Sequence, residues 1–316
     1  MKINAVVAPT YGGPDVVTLI ETELAAPATG QVLVEVRAAA TNPIDYKLFS
    51  GHYGDDPSKL PMRLGLEVSG VVLATEGEVT GPSAPIHVGD EVIVYPAPGG
   101  YATAVVADAE LVVAKPQNMS FEEASGLMLC GTTAVHALRA ASVGAGNTVL
   151  INGASGGVGL LAVQIAVDDG ARVIATASAT QHEMLRDLGA EPVLYGEGLL
   201  ERVRELAPEG VDAAIDLIGT DESADVSMAL VADPSRLATI VGSSKGARLA
   251  MKALGMGPNA DPGVAIRSAA RLDLVRRVEE GSLKVFVDAT FALADAADAL
   301  RDLAQGHSHG KIVLIP

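Results

Sequence analysis

The chain has 316 residues, and at about 150 residues per domain this length predicts two domains. Apolar residues make up 49% of the chain and charged residues 19%, a composition that supplies folded cores and excludes a disordered chain. The formal net charge of −17 argues against a protein that binds nucleic acid or an anionic membrane surface.

The sequence also narrows the cellular setting. No apolar run approaches the roughly 18 residues that cross a bilayer, and the first residues, MKINAVVAP, lack the apolar core of a secretory signal. The single cysteine, Cys130, excludes an internal disulfide and a zinc site built from cysteines. We therefore expect a soluble, cytoplasmic protein.

The first third of the chain predicts short β-strands separated by turns. Residues 31–37 alternate apolar and polar side chains, as in a half-buried strand, and further strands are predicted at 68–74, 91–95 and 101–107. Glycine, proline and aspartate between the later strands are typical of turns. This spacing indicates an antiparallel, barrel-like β-domain.

The pattern changes near residue 120, where Ser120 precedes an acidic first turn and predicts the start of a helix. Short buried strands then alternate with helices. Strands are predicted at 148–152, 172–177, 192–195, 213–218 and 237–241, with helices at 158–168, 182–188, 199–206 and 223–231. This alternation predicts a doubly wound parallel sheet, and hence an α/β protein.

The last part of the chain follows a break rich in glycine and proline at 255–263, which suggests a linker or a mobile loop. Beyond it we predict a helix at 266–279, a strand at 283–287, a helix at 293–303 and a final strand at 312–315.

A glycine loop between the first strand and the first helix of this alternation carries the strongest functional signal. The segment Asn152-Gly-Ala-Ser-Gly-Gly-Val-Gly159 reads A-x-G-x-x-G, with Ala154 in place of the first glycine of the dinucleotide-binding pattern G-x-G-x-x-G. In this position, backbone N–H groups at a helix N-terminus can bind a pyrophosphate. We therefore predict a bound dinucleotide.

The end of the second alternating strand, predicted at 172–177, helps to predict which dinucleotide is bound. Proteins that bind NAD usually place an acidic residue about 20 residues after the glycine loop, where it binds the ribose 2′-hydroxyl. Here the strand ends Ala175-Thr-Ala-Ser178, without an acid. A carboxylate would repel a 2′-phosphate, so its absence favours NADPH, with NADH as the alternative.

Ordered motifs over nearly the whole chain resemble those of a known family. They are Asn42-Pro-Ile-Asp45 with Tyr46, Gly51-His-Tyr53, Gly65-Leu-Glu67, Gly70-Val-Val72, Val88-Gly-Asp-Glu-Val92, Gly100-Tyr-Ala102, Gly131-Thr-Thr-Ala134, the glycine loop, Leu188-Gly-Ala190 and Gly310-Lys-Ile-Val-Leu314. In this order they resemble the zinc-independent, zeta-crystallin-like quinone oxidoreductases of the medium-chain dehydrogenase/reductase superfamily.

This resemblance implies a fold and an activity. It implies a GroES-like, β-rich catalytic domain, begun by residues 1–120 and completed by 256–316, with a Rossmann NADP-binding domain at 121–255. It also implies that NADPH is used to reduce quinones or activated alkenes, and that the protein forms a homodimer or homotetramer.

The resemblance further implies roles for individual residues. Asn42 would contact the nicotinamide ribose or the substrate, and Tyr53 would line the substrate pocket. The cofactor contacts would be Thr133 at the nicotinamide, Ser155, Gly156, Gly157 and Val158 at the pyrophosphate, Ser178 and Tyr195 at the 2′-phosphate, and Ile218, Gly219, Val241 and Gly242 along the cofactor.

The sequence departs from the patterns of its relatives at functional positions. Zinc-dependent relatives carry a cysteine where Asn42 lies and a histidine where Leu66 lies, so we expect no catalytic zinc. NADPH-specific members usually have a lysine at the position of His182, whose charge would depend on pH because histidines titrate near about pH 6.5. We therefore expect NADPH affinity to weaken as the pH rises from about 6 to 8.

The chemistry needs a group that supplies a hydrogen bond or a proton as negative charge develops on the acceptor. Tyr46 and Tyr53 are the candidate donors, with Lys47 as a weaker one. Structural interpretations remain open for each of the predicted residues. Tyr46 could pack in the core, Tyr53 could cover the domain edge, Asn42 could cap a turn, and Thr133 could pack on its helix.

The leading hypothesis is an NADPH-dependent reductase of small quinones or α,β-unsaturated carbonyls. One alternative is an enoyl-thioester reductase, which needs a basic entrance for the phosphates of its carrier and is disfavoured by the net charge of −17. The other is a nucleotide-binding structural or regulatory protein with little turnover.

Overall fold

The computed structural model describes residues 1–241, 250–257, 259–306 and 308–316. The chain divides into two compact units. The first comprises Met1–Leu129, Arg271–Glu280 and Val285–Pro316, and the second comprises Cys130–Ala270 and Gly281–Lys284. Helices and strands occur in both, so the predicted α/β class is confirmed.

The first unit is built mainly of β-strands, which are labelled here, like the helices, in chain order. Its strands are β1 (Lys2–Ala8), β2 (Thr18–Glu23), β3 (Gln31–Ala40), β4 (Met62–Arg63), β5 (Val68–Thr75), β6 (Val79–Thr80), β7 (Pro85–Ile86), β8 (Glu91–Val94), β9 (Ala104–Asp108), β10 (Val112–Ala114), β17 (Val287–Ala292) and β18 (Lys311–Ile315). The helices α1 (Pro43–Phe49), α2 (Phe121–Ser125) and α9 (Ala296–Gln305) accompany them.

A seven-stranded sheet forms the centre of this unit, in the order β10-β8-β5-β3-β18-β17, with β9 also paired to β3. The β17–β18 pair is parallel and the other pairs are antiparallel. Strand β3 has the predicted alternation, because Val32, Val34 and Val36 are buried in the core while the residues between them are half-buried. Strand β3 leads directly into the turn before α1, and Lys311 is the first residue of β18.

The second unit contains a six-stranded sheet. Its strands are β11 (Thr148–Asn152), β12 (Arg172–Ala177), β13 (Glu191–Leu194), β14 (Ala213–Asp216), β15 (Leu237–Thr239) and β16 (Lys252–Ala253), in the order β13-β12-β11-β14-β15-β16. These pairs are parallel, which confirms the predicted doubly wound sheet. The chain order reverses beside β11, and in sheets of this kind ligands bind at the carboxyl ends of the strands near such a reversal.

The remaining helices are α3 (Met128–Ala140), α4 (Gly157–Asp168), α5 (His182–Asp187), α6 (Leu199–Leu206), α7 (Asp221–Leu230) and α8 (Val264–Glu279). Helix α4 is apolar on every side because it is buried along most of its length, from Gly159 to Ala166. In the described parts of the chain, no helix is long and apolar enough to span a membrane.

The predicted strand at 283–287 is wrong, because the strand found there runs from Val287 to Ala292. Leu283 and Val285 are buried and alternate with Lys284, which imitates a strand pattern. The backbone of Lys284 is instead paired with a side chain: its N–H donates to Gln164 Oε1 at 2.9 Å, and its carbonyl accepts from Gln164 Nε2 at 3.0 Å. A glutamine amide therefore takes the place of a neighbouring strand.

Candidate functional site

The glycine loop joins the end of β11 to the start of α4 at the carboxyl edge of the parallel sheet. Gly153 has a φ of +78°, and its N–H donates to Thr176 Oγ1 at 3.1 Å, which ties the loop to β12. The next N–H, that of Ala154, donates to the carbonyl of Thr176 at 3.1 Å. Gly156 is the N-cap of α4 in an extended conformation and supplies no side-chain cap, so the first N–H groups of the helix have no partner within the helix.

Two positions of this loop, 156 and 159, are occupied by glycine for different physical reasons. A Cβ on Gly159 would lie 2.3 Å from the carbonyl oxygen of Gly153, so only glycine lets the helix approach the strand this closely. Among the described residues, a Cβ on Gly156 would meet nothing nearer than that same oxygen, at 3.7 Å. Packing against the described residues therefore does not require a glycine at position 156, whereas close approach of a ligand to the helix N-terminus would.

The structure brings further predicted cofactor residues to this edge. A Cβ on Gly153 would lie 3.2 Å from Ile218 Cβ, and one on Gly219 would lie 2.5 Å from Val241 Cγ1. Ile218 and Val241 are 52% and 38% exposed. The prediction for Gly242 lies outside the described residues.

Asp216, at the end of β14, organises this edge and escaped the sequence analysis. It is fully buried, and its Oδ1 accepts from the N–H of Gly219 at 2.9 Å and from Ser223 Oγ at 2.9 Å. Its Oδ2 accepts from Thr239 Oγ1 at 3.1 Å, which links β14 to β15. The sequence feature that could have pointed to Asp216 is its place as the acidic last residue of an otherwise apolar strand.

The residues expected at the 2′-phosphate follow β12 and β13. Ser178 Oγ lies 3.0 Å from Thr180 Oγ1, and His182 Nε2 lies 3.4 Å from the carbonyl oxygen of Ala177. Tyr195 is 55% exposed, directly after β13. The guanidinium of Arg202 donates to carbonyls on both sides of Tyr195, those of Leu194, Gly196 and Glu197, and so holds its loop.

In the first unit, Asn42 lies in a buried polar network at the N-terminus of α1. Its Nδ2 donates to Glu67 Oε1 at 3.0 Å, and its Oδ1 accepts from Lys311 Nζ at 2.6 Å. Only 1% of Asn42 is exposed. The residue is the N-cap of helix α1, whereas the sequence alternative had it capping a turn, and its amide is also fixed by two charged groups.

Glu67 and Lys311 form a buried ion pair within this network. Lys311 Nζ lies 3.0 Å from Glu67 Oε1 and also donates to the carbonyl of Thr41 at 3.0 Å. The other carboxylate oxygen of Glu67 accepts from the backbone N–H of Leu129 at 2.9 Å. The carboxylate therefore has the partners that a buried charge requires, and Lys311 is a participant that the sequence analysis missed.

A second buried carboxyl, that of Asp45, lies on α1. Its Oδ2 accepts from the Tyr101 hydroxyl at 2.7 Å and from the N–H of Asn42 at 2.9 Å. Its Oδ1 has no hydrogen-bond partner among the described residues. Burial raises the pKa of Asp45 to about 7, against the opposing hydrogen bonds from Tyr101 and Asn42. Burial, with the nearby Asp45, raises the pKa of Tyr101 well above its usual value.

The predicted catalytic tyrosines lie outside the Asn42 network. Tyr46 is half-buried and packs edge-on against Phe49, with ring centroids 5.7 Å apart. Tyr53 is 40% exposed, packs edge-on against His52, and has a pKa raised by partial burial. Burial also lowers the pKa of Lys47, the weaker candidate donor.

Thr133, expected at the nicotinamide, is buried on α3 in the second unit. Its Oγ1 accepts a hydrogen bond from Arg267 Nη1 at 2.9 Å. Arg267 belongs to α8, and no motif in the sequence predicted this contact.

Comparisons with known proteins match two segments of the chain to family models. Residues 28–117 match the model described as an alcohol dehydrogenase GroES-like domain, which agrees with the expected GroES-like domain. Residues 188–314 match the model described as a zinc-binding dehydrogenase.

Individual proteins are similar over almost the whole chain. A quinone oxidoreductase of Pseudomonas aeruginosa is 33% identical over 325 residues, covering 97% of each chain. An NADPH-dependent alkenal/one oxidoreductase of Arabidopsis thaliana is 29% identical over 330 residues, covering 100% of this chain and 80% of the relative. A mycobacterial protein solved in complex with NADPH has a TM-score of 0.85 at 31% identity, covering 99% of this chain and 100% of the other.

The zinc ion implied by the second family model does not fit the residues present. Positions 42 and 66 carry an amide and an aliphatic side chain instead of the thiolate and imidazole that zinc prefers. The adjacent carboxylate, Glu67, already contacts the ammonium of Lys311. In the described segments, no group of three His, Cys, Asp or Glu side chains is placed to hold a metal ion.

Proposed function

The chain belongs to the medium-chain dehydrogenase/reductase superfamily of oxidoreductases, and from this premise we propose that it is an NADPH-dependent reductase of quinones or α,β-unsaturated carbonyls. One observation carries the proposal. The N-terminus of α4 opens beside the reversal of strand order, and its N-cap is a glycine that packing against the described part of the chain does not require. This arrangement is suited to a dinucleotide pyrophosphate.

The residues of the second unit fit NADPH along its length. Ser155, Gly156, Gly157 and Val158 would hold the pyrophosphate at the helix N-terminus. The absence of an acid at the end of β12 leaves Ser178, His182 and Tyr195 to hold a 2′-phosphate. When bound, NADPH would supply the hydride.

On the first unit we assign Asn42, Tyr46 and Tyr53 to the reacting end of the substrate. The acceptor gains negative charge with the hydride and needs a hydrogen-bond donor or a proton. The Tyr53 hydroxyl, like that of any tyrosine with its ordinary pKa of about 10, is protonated near neutral pH, so it is able to donate a hydrogen bond. The exposure of its ring supports a place at a surface that substrates reach.

We further propose that the reaction is zinc-independent. The buried cation of the Asn42 network is the ammonium of Lys311, which contacts the Asn42 oxygen and the Glu67 carboxylate. Turnover should therefore be unaffected by a strong zinc chelator, and the purified active protein should contain far less than one zinc per chain. Loss of activity on chelation, restored by zinc, would contradict this.

The activity is tested by initial rates of NADPH oxidation with p-benzoquinone and a simple enone in parallel, against enzyme-free controls. Turnover of the quinone alone supports a quinone reductase, and turnover of the enone alone supports an alkenal/enone reductase. An enoyl thioester as a third acceptor tests the remaining enzymatic alternative. NADPH binding without turnover of any acceptor would favour a structural or regulatory role and overturn the proposal.

His182 makes the cofactor preference testable by substitution. If the His182 side chain binds the 2′-phosphate, the variant His182→Ala should raise the dissociation constant of NADPH and leave that of NADH unchanged. The variant His182→Lys, which carries a full positive charge, should bind NADPH more tightly than the wild type. Equal NADPH affinities in the three proteins would exclude this role.

A further inference from the structure

A buried histidine that the proposed function does not use lies one helical turn after Thr133. His136, on α3, is fully buried, and its Nε2 lies 3.1 Å from Asp261 Oδ2. The other oxygen of Asp261 accepts from the N–H of Gly263 at 2.8 Å. Gly263 has a φ of +61°, and a Cβ there would lie 2.3 Å from the His136 ring, so the ring packs directly on this backbone.

The second ring nitrogen of His136 faces an arginine. Arg267 Nε donates to His136 Nδ1 across 3.4 Å, while Arg267 Nη1 donates to Thr133 Oγ1 at 2.9 Å. Because Nδ1 accepts, the neutral ring carries its proton on Nε2 and donates it to Asp261. A continuous set of hydrogen bonds thus runs from Asp261 through His136 and Arg267 to Thr133.

We propose that Arg267 is a positioning residue for Thr133, and that His136 and Asp261 hold its guanidinium in place. The inference rests on the proposed function and on the contact between Thr133 and the nicotinamide that the family resemblance implies. All four residues lie in the second unit, and the ring is enclosed by α3 and the loop that precedes α8. Two of the guanidinium nitrogens are bound to α3, so the Thr133 hydroxyl is held at a defined place on the helix.

The same geometry makes the positioning sensitive to acid. Protonation of His136 places a hydrogen on Nδ1, which then cannot accept from Arg267 and repels its charge. In the described residues, the charged groups on the ring are Asp261 and Arg267. The pKa of His136 is lowered overall. Burial lowers it most and the charge of Arg267 lowers it further, while the hydrogen bond to Asp261 and the charge of Asp261 raise it. The ring is therefore neutral near pH 7.

The first test is the variant Arg267→Gln, which keeps much of the side-chain length and removes the charge. Its matched control is Arg276→Gln on the same helix, where the arginine is exposed and paired with Asp273 and Glu280. We expect kcat for the best acceptor to fall by about 10-fold to 100-fold in the first variant, because small misplacement of a reacting group costs this much. The control variant should keep wild-type rates.

A fragment of the cofactor separates positioning from general damage. The probe 2′-phospho-ADP-ribose lacks the nicotinamide, so its dissociation constant should be the same in wild type and in Arg267→Gln. A double-mutant cycle with Thr133→Val tests the path: if Arg267 acts through Thr133, its substitution has no further effect on kcat in the valine background.

The pH profile tests the role of the histidine pair. The wild-type kcat should fall on acidification, with an inflection set by His136. Asp261→Asn removes the group that raises the pKa of His136, so the inflection should move to lower pH. In Arg267→Gln this inflection should be absent. The His136 ring proton signals, followed by NMR, give the same titration without any turnover.

The outcomes distinguish this inference from the proposed function. Wild-type protein that fails to bind NADPH overturns both. If the wild-type protein binds and oxidises NADPH, but the kcat of Arg267→Gln equals that of Arg276→Gln, only the inference is overturned. Equal losses of NADPH and 2′-phospho-ADP-ribose binding, additive effects in the cycle, or an inflection unmoved by Asp261→Asn would also overturn it.

Discussion

Asp45 shows how a buried carboxyl couples the fold to pH. Its Oδ1 has no partner among the described residues, an arrangement that costs a neutral carboxyl less than a carboxylate. The pKa of Asp45 is about 7 in the folded chain and about 4 in the unfolded chain. At a pH between these two values, Asp45 is protonated in the folded chain and ionised in the unfolded chain. The contribution of Asp45 to the free energy of unfolding therefore falls as the pH rises through this window.

The variant Asp45→Asn, which cannot ionise, tests this sign. The slope of its unfolding free energy against pH should be less negative than that of the wild type between about pH 5 and 7, by up to about 1.4 kcal/mol per pH unit. Urea unfolding at several pH values measures the slope, with the exposed Asp55→Asn as the matched control. Identical slopes in Asp45→Asn and wild type would contradict the raised pKa.

The Glu67–Lys311 pair predicts a large effect on stability. Lys311→Met leaves the Glu67 carboxylate buried without its counter-ion, and we expect a loss of about 3–5 kcal/mol in the free energy of unfolding. The double variant Glu67→Gln/Lys311→Met removes the charge as well, so it should recover part of that loss. Equal stabilities of the single and double variants would show that the ion pair matters less than the packing of the lysine stem.

At the scale of elements, the turn into α4 separates packing from binding. Gly159→Ala brings a methyl within 2.3 Å of a backbone oxygen, so it should destabilise the fold by about 1–3 kcal/mol, although alanine favours helices. The new methyl of Gly156→Ala meets no atom nearer than 3.7 Å in the segments that the structure describes. It should change stability by about 1 kcal/mol or less, as expected for an N-cap, yet weaken NADPH binding by more than about 10-fold.

Urea unfolding and titration of NADPH fluorescence together test this pair of variants. Unchanged NADPH affinity in Gly156→Ala would show that the helix N-terminus is not where the pyrophosphate binds. Wild-type stability in Gly159→Ala would show that the turn can relax by more than the close contacts suggest.

Elements were predictable where a local pattern matched the tertiary environment. The strands at 148–152 and 172–177 and the helix at 199–206 were predicted with the bounds that the structure has. The strand at 283–287 was not, because alternating burial is also produced by an irregular segment whose backbone bonds to Gln164. Periodicity reports which side chains are buried and does not report what the backbone is paired with.

At the scale of the whole molecule, the net charge of −17 should slow the approach of an anionic cofactor. Raising the ionic strength from about 10 mM to about 150 mM shortens the screening length from about 30 Å to about 8 Å. The association rate of NADPH should therefore rise, up to several-fold. Stopped-flow fluorescence of NADPH measures it without interference from tryptophan, which the chain lacks. A rate that falls with salt would indicate a locally positive site.

The boundaries of the functional domains and the oligomeric state of the protein remain predictions. We propose that residues 1–120 and 256–316 carry the catalytic part and residues 121–255 the NADP-binding part, and that the protein forms a homodimer or homotetramer. Light scattering of the purified protein gives the assembly directly.

The sequence by itself determined the class of the protein, because strand and helix periodicity, the glycine loop and the ordered motifs are local patterns that need no knowledge of distant contacts. It also pointed to Asn42, Thr133 and the residues of the cofactor edge as candidates. Only the tertiary structure decided what holds them. Lys311 is 269 residues from Asn42 along the chain, and Arg267 is 134 residues from Thr133. Such pairings arise when packed elements bring charged ends together, and no spacing rule in a single sequence encodes them.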